Sequence, residues 1–301
     1  MNNLITALPP AIISATSFIP HTPQHLLEAR VFPSPLPDVV HAKLFKEYEE
    51  LSDVTVSRIV YESDGLKVTG VVAMPMETKL AHPILIYNRG GSREYGKLTL
   101  YTIMRSLVPF ARRGYMVFAS NYRGNDGGGG REEFGGKDLD DVMNLLAIAR
   151  AHPSFDGKNA FMIGHSRGGM MTTMAIKLGA KINAAISIAG ISDARKMIGH
   201  QKVREEMLKA LVPGYHDDPQ SALIERSAVL WPEAITVPLL LLHGDNDQDV
   251  SYEDSIALND AIKSAGGTSE LVIYPSGSHA LVRSWDDVMA RSSAWMEKYT
   301  K

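Results

Sequence analysis

One serine, with a glycine two positions away on each side, constrains the fold of this chain more than any other feature. The segment 164–168 reads Gly-His-Ser-Arg-Gly, and Ser166 is its central residue. The apolar run at 159–163 predicts a strand before it, and residues 169–178 favour a helix after it. A strand that passes into a helix this abruptly needs a tight turn, in which side chains at positions 164 and 168 would collide. The sequence therefore predicts a strained turn that holds the Ser166 hydroxyl clear of the edge of a sheet.

The rest of the chain alternates short apolar runs with helical patterns. A hairpin is predicted over 54–73, with its turn at Asp64 and Gly65. Six near-continuous apolar strands follow, separated by helices, which is typical of a parallel sheet covered on both faces. We therefore predict an α/β fold with an eight-stranded, mostly parallel sheet and helices on both of its faces. The six strands are predicted at 83–87, 115–119, 160–163, 184–188, 238–242 and 270–274.

Two segments fall outside this regular pattern. Residues 1–50 are rich in proline and predict an extended arm that packs on the main domain at 51–301. Residues 192–236 follow the sixth strand and are too long for a simple crossover, so we predict a helical lid over the Ser166 turn.

The composition excludes several classes of protein. The chain has 301 residues, a formal net charge of -3 and no cysteine. We therefore expect no disulfide, no thiolate metal site, and no binding to nucleic acid or to an anionic membrane. No apolar stretch approaches the roughly 20 residues that a membrane-spanning helix needs. The N-terminus lacks the basic region of a signal peptide, so a cytoplasmic location is expected.

The Ser166 turn resembles the nucleophile elbow of α/β hydrolases. A serine hydroxyl needs a base, and the base needs a group that orients it. In that fold the acid and then the histidine follow the serine, each on a loop after a strand. His279 follows the last predicted strand and is our candidate base. The acid follows the strand at 238–242, where the alternating Asp245, Asp247 and Asp249 are all candidates.

Three further motifs resemble the prolyl oligopeptidase family of serine peptidases. Residues 121–128 are similar to an Arg-Gly-rich loop of the family, and 136–141 match its Gly-Lys-Asp-x-x-Asp helix start. Residues 243–250 match its His-Gly-x-x-Asp-x-x-Val loop. This resemblance covers roughly residues 55–300, implies that Asp247 is the catalytic acid, and leaves Asp245 to form the turn.

The oxyanion hole is expected from backbone N–H groups near the serine. Arg167, directly after the nucleophile, supplies one N–H, and Gly90 or Gly91 in the loop after the third strand supplies the other. For Arg89 two roles are open, because its guanidinium suits a substrate carboxylate or carbonyl but also a structural ion pair. Tyr122 is a candidate substrate contact, with burial in the core as its alternative.

These features together predict a serine hydrolase that cleaves peptide, aminoacyl or ester bonds through an acyl-enzyme intermediate. The substrate is expected to be a short peptide or a small molecule, with no metal and no organic cofactor. The family's peptidases carry a β-propeller for which this sequence has no room, so a carboxylesterase is the first alternative. A non-catalytic binding protein on the same fold is the second. Homo-oligomerisation is left open.

Overall fold

One mixed sheet runs through the residues that the computed structural model describes, which are 11–17, 38–76, 81–199 and 202–301. It has nine strands in the order β1-β2-β3-β5-β4-β6-β7-β8-β9. The strands are β1 (Ile12–Ser17), β2 (Val54–Ser63), β3 (Leu66–Pro75), β4 (His82–Asn88), β5 (Met116–Ser120), β6 (Phe155–His165), β7 (Ala184–Ile188), β8 (Leu239–Gly244) and β9 (Ser269–Tyr274).

The pairing follows the pattern predicted from the sequence. β2 and β3 form the antiparallel hairpin, and β3 also pairs antiparallel with β5. From β5 to β9 every pair is parallel. Asp64 and Gly65 both have positive φ, at 51° and 75°, which is the two-residue turn that an Asp-Gly pair favours.

The ninth strand corrects the predicted count of eight. β1 pairs antiparallel with β2 at the edge of the sheet. It lies within the predicted arm, most of which falls outside the described residues. Its mixture of small, hydroxyl-bearing and apolar residues does not alternate clearly, so periodicity alone did not distinguish it from an extended segment.

Helices cover both faces of the sheet, as predicted. One core cluster packs α3, α4 and α7 against one face, and a second packs α1, α2 and α8 against the other. Within the described residues, the longest helices are too short or too polar to cross a membrane. The helices are α1 (Asp38–Glu49), α2 (Leu100–Thr102, Ile103–Leu107 and Val108–Ala111), α3 (Asp138–Arg150), α4 (Arg167–Lys177), α5 (Lys202–Leu211), α6 (Pro219–Ile224), α7 (Tyr252–Ser264) and α8 (Trp285–Lys298).

Candidate active site

The turn around Ser166 has the strained geometry that its glycines predict. β6 ends at His165, α4 begins at Arg167, and Ser166 between them has φ 57° and ψ -122°. A Cβ at Gly164 would lie 2.0 Å from the carbonyl oxygen of Gly168. A Cβ at Gly168 would lie 1.9 Å from the carbonyl oxygen of Asn88. Both distances are far below van der Waals contact, so only glycine fits at these two positions.

Replacing Gly168 with alanine should therefore lower the free energy of unfolding by about 2–3 kcal/mol, because the backbone on both sides must move. Gly129→Ala is the matched control, since its Cβ would meet its nearest neighbour, the Lys67 carbonyl oxygen, at an ordinary 3.7 Å. The control should change the free energy by less than about 0.5 kcal/mol. Urea unfolding of the two variants measures the difference, and equal stabilities would contradict the steric argument.

His279 and Asp247 are in direct contact on the loops that follow β9 and β8. His279 Nδ1 lies 2.7 Å from Asp247 Oδ2, and the Asp247 side chain is fully buried. Because an ionised carboxylate only accepts hydrogen bonds, we assign the proton to Nδ1. That tautomer leaves Nε2 of the same ring able to accept a proton. The other carboxylate oxygen, Oδ1, accepts the backbone N–H groups of Asp249 and Val250 at 2.8 and 3.0 Å.

His243 also supports the acid, a contact that the sequence analysis did not identify. Its Nε2 lies 3.0 Å from Asp247 Oδ2, and its Nδ1 lies 2.7 Å from Ser255 Oγ. Burial raises the pKa of Asp247, but the hydrogen bonds from His243 and His279 outweigh it and hold the pKa well below its usual range. The sequence does hold a signal for this contact, which is the spacing of four residues between His243 and Asp247 across the end of β8.

His165 holds the backbone of the candidate base. Its Nε2–H donates to the His279 carbonyl oxygen at 2.9 Å, and the two rings lie 4.9 Å apart. Burial, and then the neighbouring His279, lower the pKa of His165 to about 3. Its ring is therefore neutral at physiological pH, which fits a structural donor.

The predicted oxyanion loop lies directly beside the serine. A Cβ at Gly90 would lie 3.2 Å from Ser166 Cβ, which shows how closely the two backbones approach. Gly91 has φ 68°, a conformation that favours glycine. Gly91 and Arg167 line the same cavity as Ser166. The structure thus brings the residues of the predicted donors close to Ser166.

Arg89 and Tyr122 require a correction, because the structure turns both away from the cavity. Arg89 is 1% exposed, and its guanidinium donates to the carbonyl oxygens of Asn121, Gly90, Arg93 and Tyr95. Tyr122 is fully buried, and its hydroxyl donates to the Arg89 carbonyl oxygen at 3.1 Å. Both side chains support the loop, so we replace their predicted substrate contacts with this structural role.

Asp245 adopts the role of turn-former that the resemblance implied. Its Oδ1 accepts the backbone N–H of Ser276 at 2.6 Å, which ties the acid loop to the loop that carries His279. Asp247, Asp249 and His279 do place oxygen or nitrogen atoms within 4.8 Å of one another, as metal ligands would. Both Asp247 oxygens are already engaged by N–H groups, however, and these contacts do not fit a metal site.

A cavity of about 780 Å³ opens beside Ser166 and His279. The segment 192–236 contributes a substantial part of its wall through α5 and the 3₁₀ helix Ala194–Met197. The wall is largely apolar, through Tyr95, Phe134, Ile191, Met197, Val203 and Met207.

Comparison with protein families and curated proteins identifies relatives of the chain. A family model described as the prolyl oligopeptidase family matches residues 101–301. The uncharacterized peptidase YtmA of Bacillus subtilis is 30% identical over 255 residues, which cover 84% of this chain and 91% of YtmA. Dipeptidyl-peptidase 5 of Porphyromonas gingivalis is 23% identical over 79% of this chain and 36% of its own length. The chain thus spans nearly all of the first relative and about a third of the second.

Solved structures give the same fold. An acylaminoacyl peptidase of Pyrococcus horikoshii superposes with a TM-score of 0.68 at 22% identity, over 84% of this chain and 42% of that one. An acetyl xylan esterase from Paenibacillus sp. R4 superposes with a TM-score of 0.65 at 16% identity, over 83% of this chain and 85% of that one. These likenesses confirm the predicted α/β-hydrolase fold.

Proposed function

Because this chain belongs to the prolyl oligopeptidase family and is a serine hydrolase, we propose that it is a peptidase whose catalytic triad is Ser166, His279 and Asp247. The observation that carries the proposal is the 2.7 Å contact between His279 Nδ1 and the buried Asp247, on the wall of a cavity that Ser166 also lines. The strained φ of Ser166 adds support, since such strain is characteristic of a nucleophile elbow.

The reaction follows from these positions. His279 Nε2 removes the proton from the Ser166 hydroxyl as its oxygen attacks the acyl carbonyl carbon. Asp247 stabilises the imidazolium that forms. Nε2 then gives the proton to the leaving amine or alcohol, and the acyl group stays on Ser166. A water molecule, deprotonated by the same nitrogen, attacks the acyl-enzyme and releases the acid.

The negative charge on the carbonyl oxygen needs donors that are already in place. We assign this role to the backbone N–H groups of Arg167 and Gly91, because both residues border the cavity next to Ser166. Gly90 packs on the Ser166 side chain and is the remaining candidate for the second donor.

The cavity favours an uncharged, apolar acyl group. In the described part of the chain, the charged side chains that the segment 192–236 presents to the cavity are already paired with opposite charges. A charged substrate group would therefore lose its hydration without meeting an unpaired opposite charge on this segment. We propose that this segment is a lid that selects for such substrates. The pairs are Arg204 with Asp249 at 2.5 Å, Asp193 with Arg195 at 2.8 Å, and Lys196 with Asp254.

Matched substrates test whether the enzyme is a peptidase. We expect N-acetyl-phenylalanine p-nitroanilide to be hydrolysed, and the corresponding p-nitrophenyl ester to be hydrolysed faster because its leaving group needs less protonation. The release of nitroaniline and nitrophenol measures both rates, with Ser166→Ala as the blank. Anilide cleavage equal to or faster than ester cleavage would contradict the leaving-group argument.

Cleavage of the ester alone would favour the second candidate function, a carboxylesterase acting on small esters. One comparison supports that candidate: the acetyl xylan esterase shares the fold over 85% of its own length. The third reading, a non-catalytic binding protein, predicts that neither substrate is cleaved.

A further inference from the structure

A buried ionic cluster lies beneath the predicted oxyanion loop. It contains two guanidinium groups, from Arg89 and Arg167, and two carboxylates, from Glu132 and Asp138, and each of these side chains is at most 3% exposed. Arg167 Nη1 lies 3.0 Å from Glu132 Oε2, and Arg167 Nη2 contacts Asp138. Arg89 Nη2 lies 3.8 Å from the same Glu132 oxygen. The two positive and two negative charges therefore balance within one site.

The two arginines of the cluster and the neighbouring Tyr122 bind successive carbonyl oxygens of the loop. Tyr122 Oη–H donates to the Arg89 carbonyl at 3.1 Å, Arg89 Nη1 to the Gly90 carbonyl at 3.0 Å, and Arg167 Nη1 to the Gly91 carbonyl at 2.9 Å. In a trans peptide the C=O and the following N–H point in opposite directions. The N–H groups of Gly90, Gly91 and Ser92 therefore face away from the cluster, and Gly91 and Ser92 line the cavity that holds Ser166.

Glu132 connects the parts of this arrangement. Its Oε1 accepts the backbone N–H of Arg93 at 2.6 Å. Its Oε2 accepts Arg167 Nη1 at 3.0 Å and Asn125 Nδ2 at 2.9 Å. One carboxylate thus joins the residue after the nucleophile, the oxyanion loop, and the glycine-rich loop that follows β5.

We propose that Glu132 is a positioning residue for the oxyanion hole. By holding the Arg167 guanidinium and the Arg93 amide, it fixes the peptide planes whose N–H groups stabilise the tetrahedral intermediate. It touches no substrate atom in this role. The inference rests on the proposed acyl-transfer function and adds a residue outside the triad to it.

The chemistry explains why a charged cluster serves this purpose. A buried ion pair is a poor source of stability, because desolvation offsets much of its attraction. Donors that are aligned before the reaction, in contrast, lower the barrier without reorganising during it. Arg167 links the two proposed donors directly, because its own N–H is one and its guanidinium holds the peptide plane next to the other.

Glu132→Gln tests the proposal. Glutamine keeps the size of the side chain but removes its charge, so the Arg167 guanidinium keeps Asp138 and loses the other of its two ionic partners. We expect kcat for the ester to fall by about tenfold to a hundredfold with KM within about threefold, because the lost interaction acts only in the transition state. Affinity for a peptidyl boronic acid, which mimics the tetrahedral intermediate, should fall in parallel with kcat.

Asp141→Asn is the matched control. Asp141 is also a fully buried carboxylate paired with an arginine, since Arg123 Nη2 lies 2.8 Å away. Its side chain accepts the Ser63 hydroxyl of β2 and the Arg123 backbone N–H and, within the described part of the chain, no group of the oxyanion loop. Its loss should lower stability while kcat stays within about threefold of the wild type. An equal fall of kcat in the two variants, or an unchanged boronic acid affinity in Glu132→Gln, would overturn the proposal.

Tyr122→Phe provides a milder test if the charge change prevents folding. It removes only the hydroxyl that holds the Arg89 carbonyl, and we expect about a fivefold fall in kcat with KM unchanged. A kcat equal to that of the wild type would count against the positioning mechanism. The rate of the wild-type enzyme is a separate readout. A wild type without hydrolytic activity would contradict the proposed function itself, and the positioning role with it.

Discussion

Ser166→Ala is expected to lower kcat for ester and anilide hydrolysis by about 10⁵-fold to 10⁶-fold. Without the hydroxyl no acyl-enzyme forms, and only the binding cavity and the oxyanion donors remain to accelerate direct attack by water. The rate of product release at saturating substrate measures the effect, with enzyme concentration fixed by absorbance. The fold should be retained, because alanine is smaller than serine and keeps the same backbone.

The control for this variant is Ser278→Ala. Ser278 is exposed and lies one residue before His279, so its hydroxyl is close in sequence to the proposed base without any assigned role. Its kcat should stay within about threefold of the wild type. A Ser166→Ala variant that keeps more than about a hundredth of the activity would contradict the assignment of the nucleophile.

Asp247→Asn is expected to lower kcat by about 10⁴-fold. The amide cannot compensate the imidazolium charge, and it no longer selects the tautomer in which His279 Nδ1 carries the proton. The pKa of Asp247 lies below its usual range, so the carboxylate is already ionised throughout the neutral region. The contribution of the Asp247 carboxylate to kcat is therefore complete above the ordinary pKa of an aspartate. It is lost only as the pH falls through the lowered pKa of Asp247. The ionisation of Asp247 itself should therefore add no pH dependence to the loss between about pH 6 and pH 8.

Asp245→Asn distinguishes the acid from its neighbour. Asp245 lies two residues earlier and accepts the backbone N–H of Ser276, so its substitution should weaken the loop and leave kcat within about tenfold of the wild type. Stopped-flow or steady-state rates of the two variants over the same pH range give the comparison. Equal losses in both variants would mean that Asp247 is not the acid of the triad.

Much of this site could be predicted because it depends on local sequence patterns. The turn at Ser166 needs glycine at two fixed positions, and this requirement is visible in the sequence. The parallel strands are buried on both faces, so they appear as continuous apolar runs. Since the carboxyl ends of such strands meet at one edge of the sheet, the loops after β8 and β9 were expected to bring Asp247 and His279 together. The contact between them agrees with that expectation.

Apart from the pair of His243 and Asp247, the supporting contacts could not be predicted, because only the folded chain brings their partners together. His165 and His279 are separated by 114 positions, and no local pattern pairs them. An arginine on a loop at the catalytic edge is equally compatible with binding a substrate and with holding a carbonyl. Arg89 holds carbonyl oxygens, because its guanidinium is enclosed by four of them that only the folded loop brings together. The choice of Asp247 over its two neighbours likewise needed the family motif.

In the proposed mechanism, the Ser166 hydroxyl is made nucleophilic by His279, which Asp247 orients. Labelling with a fluorophosphonate, followed by peptide mass spectrometry, tests it most directly, because this reagent phosphonylates an activated serine. We predict a single adduct on Ser166 in the wild type, no adduct in Ser166→Ala, and labelling at least about a hundredfold slower in His279→Ala. An adduct on another residue, or labelling of Ser166 at an unchanged rate without His279, would contradict the mechanism.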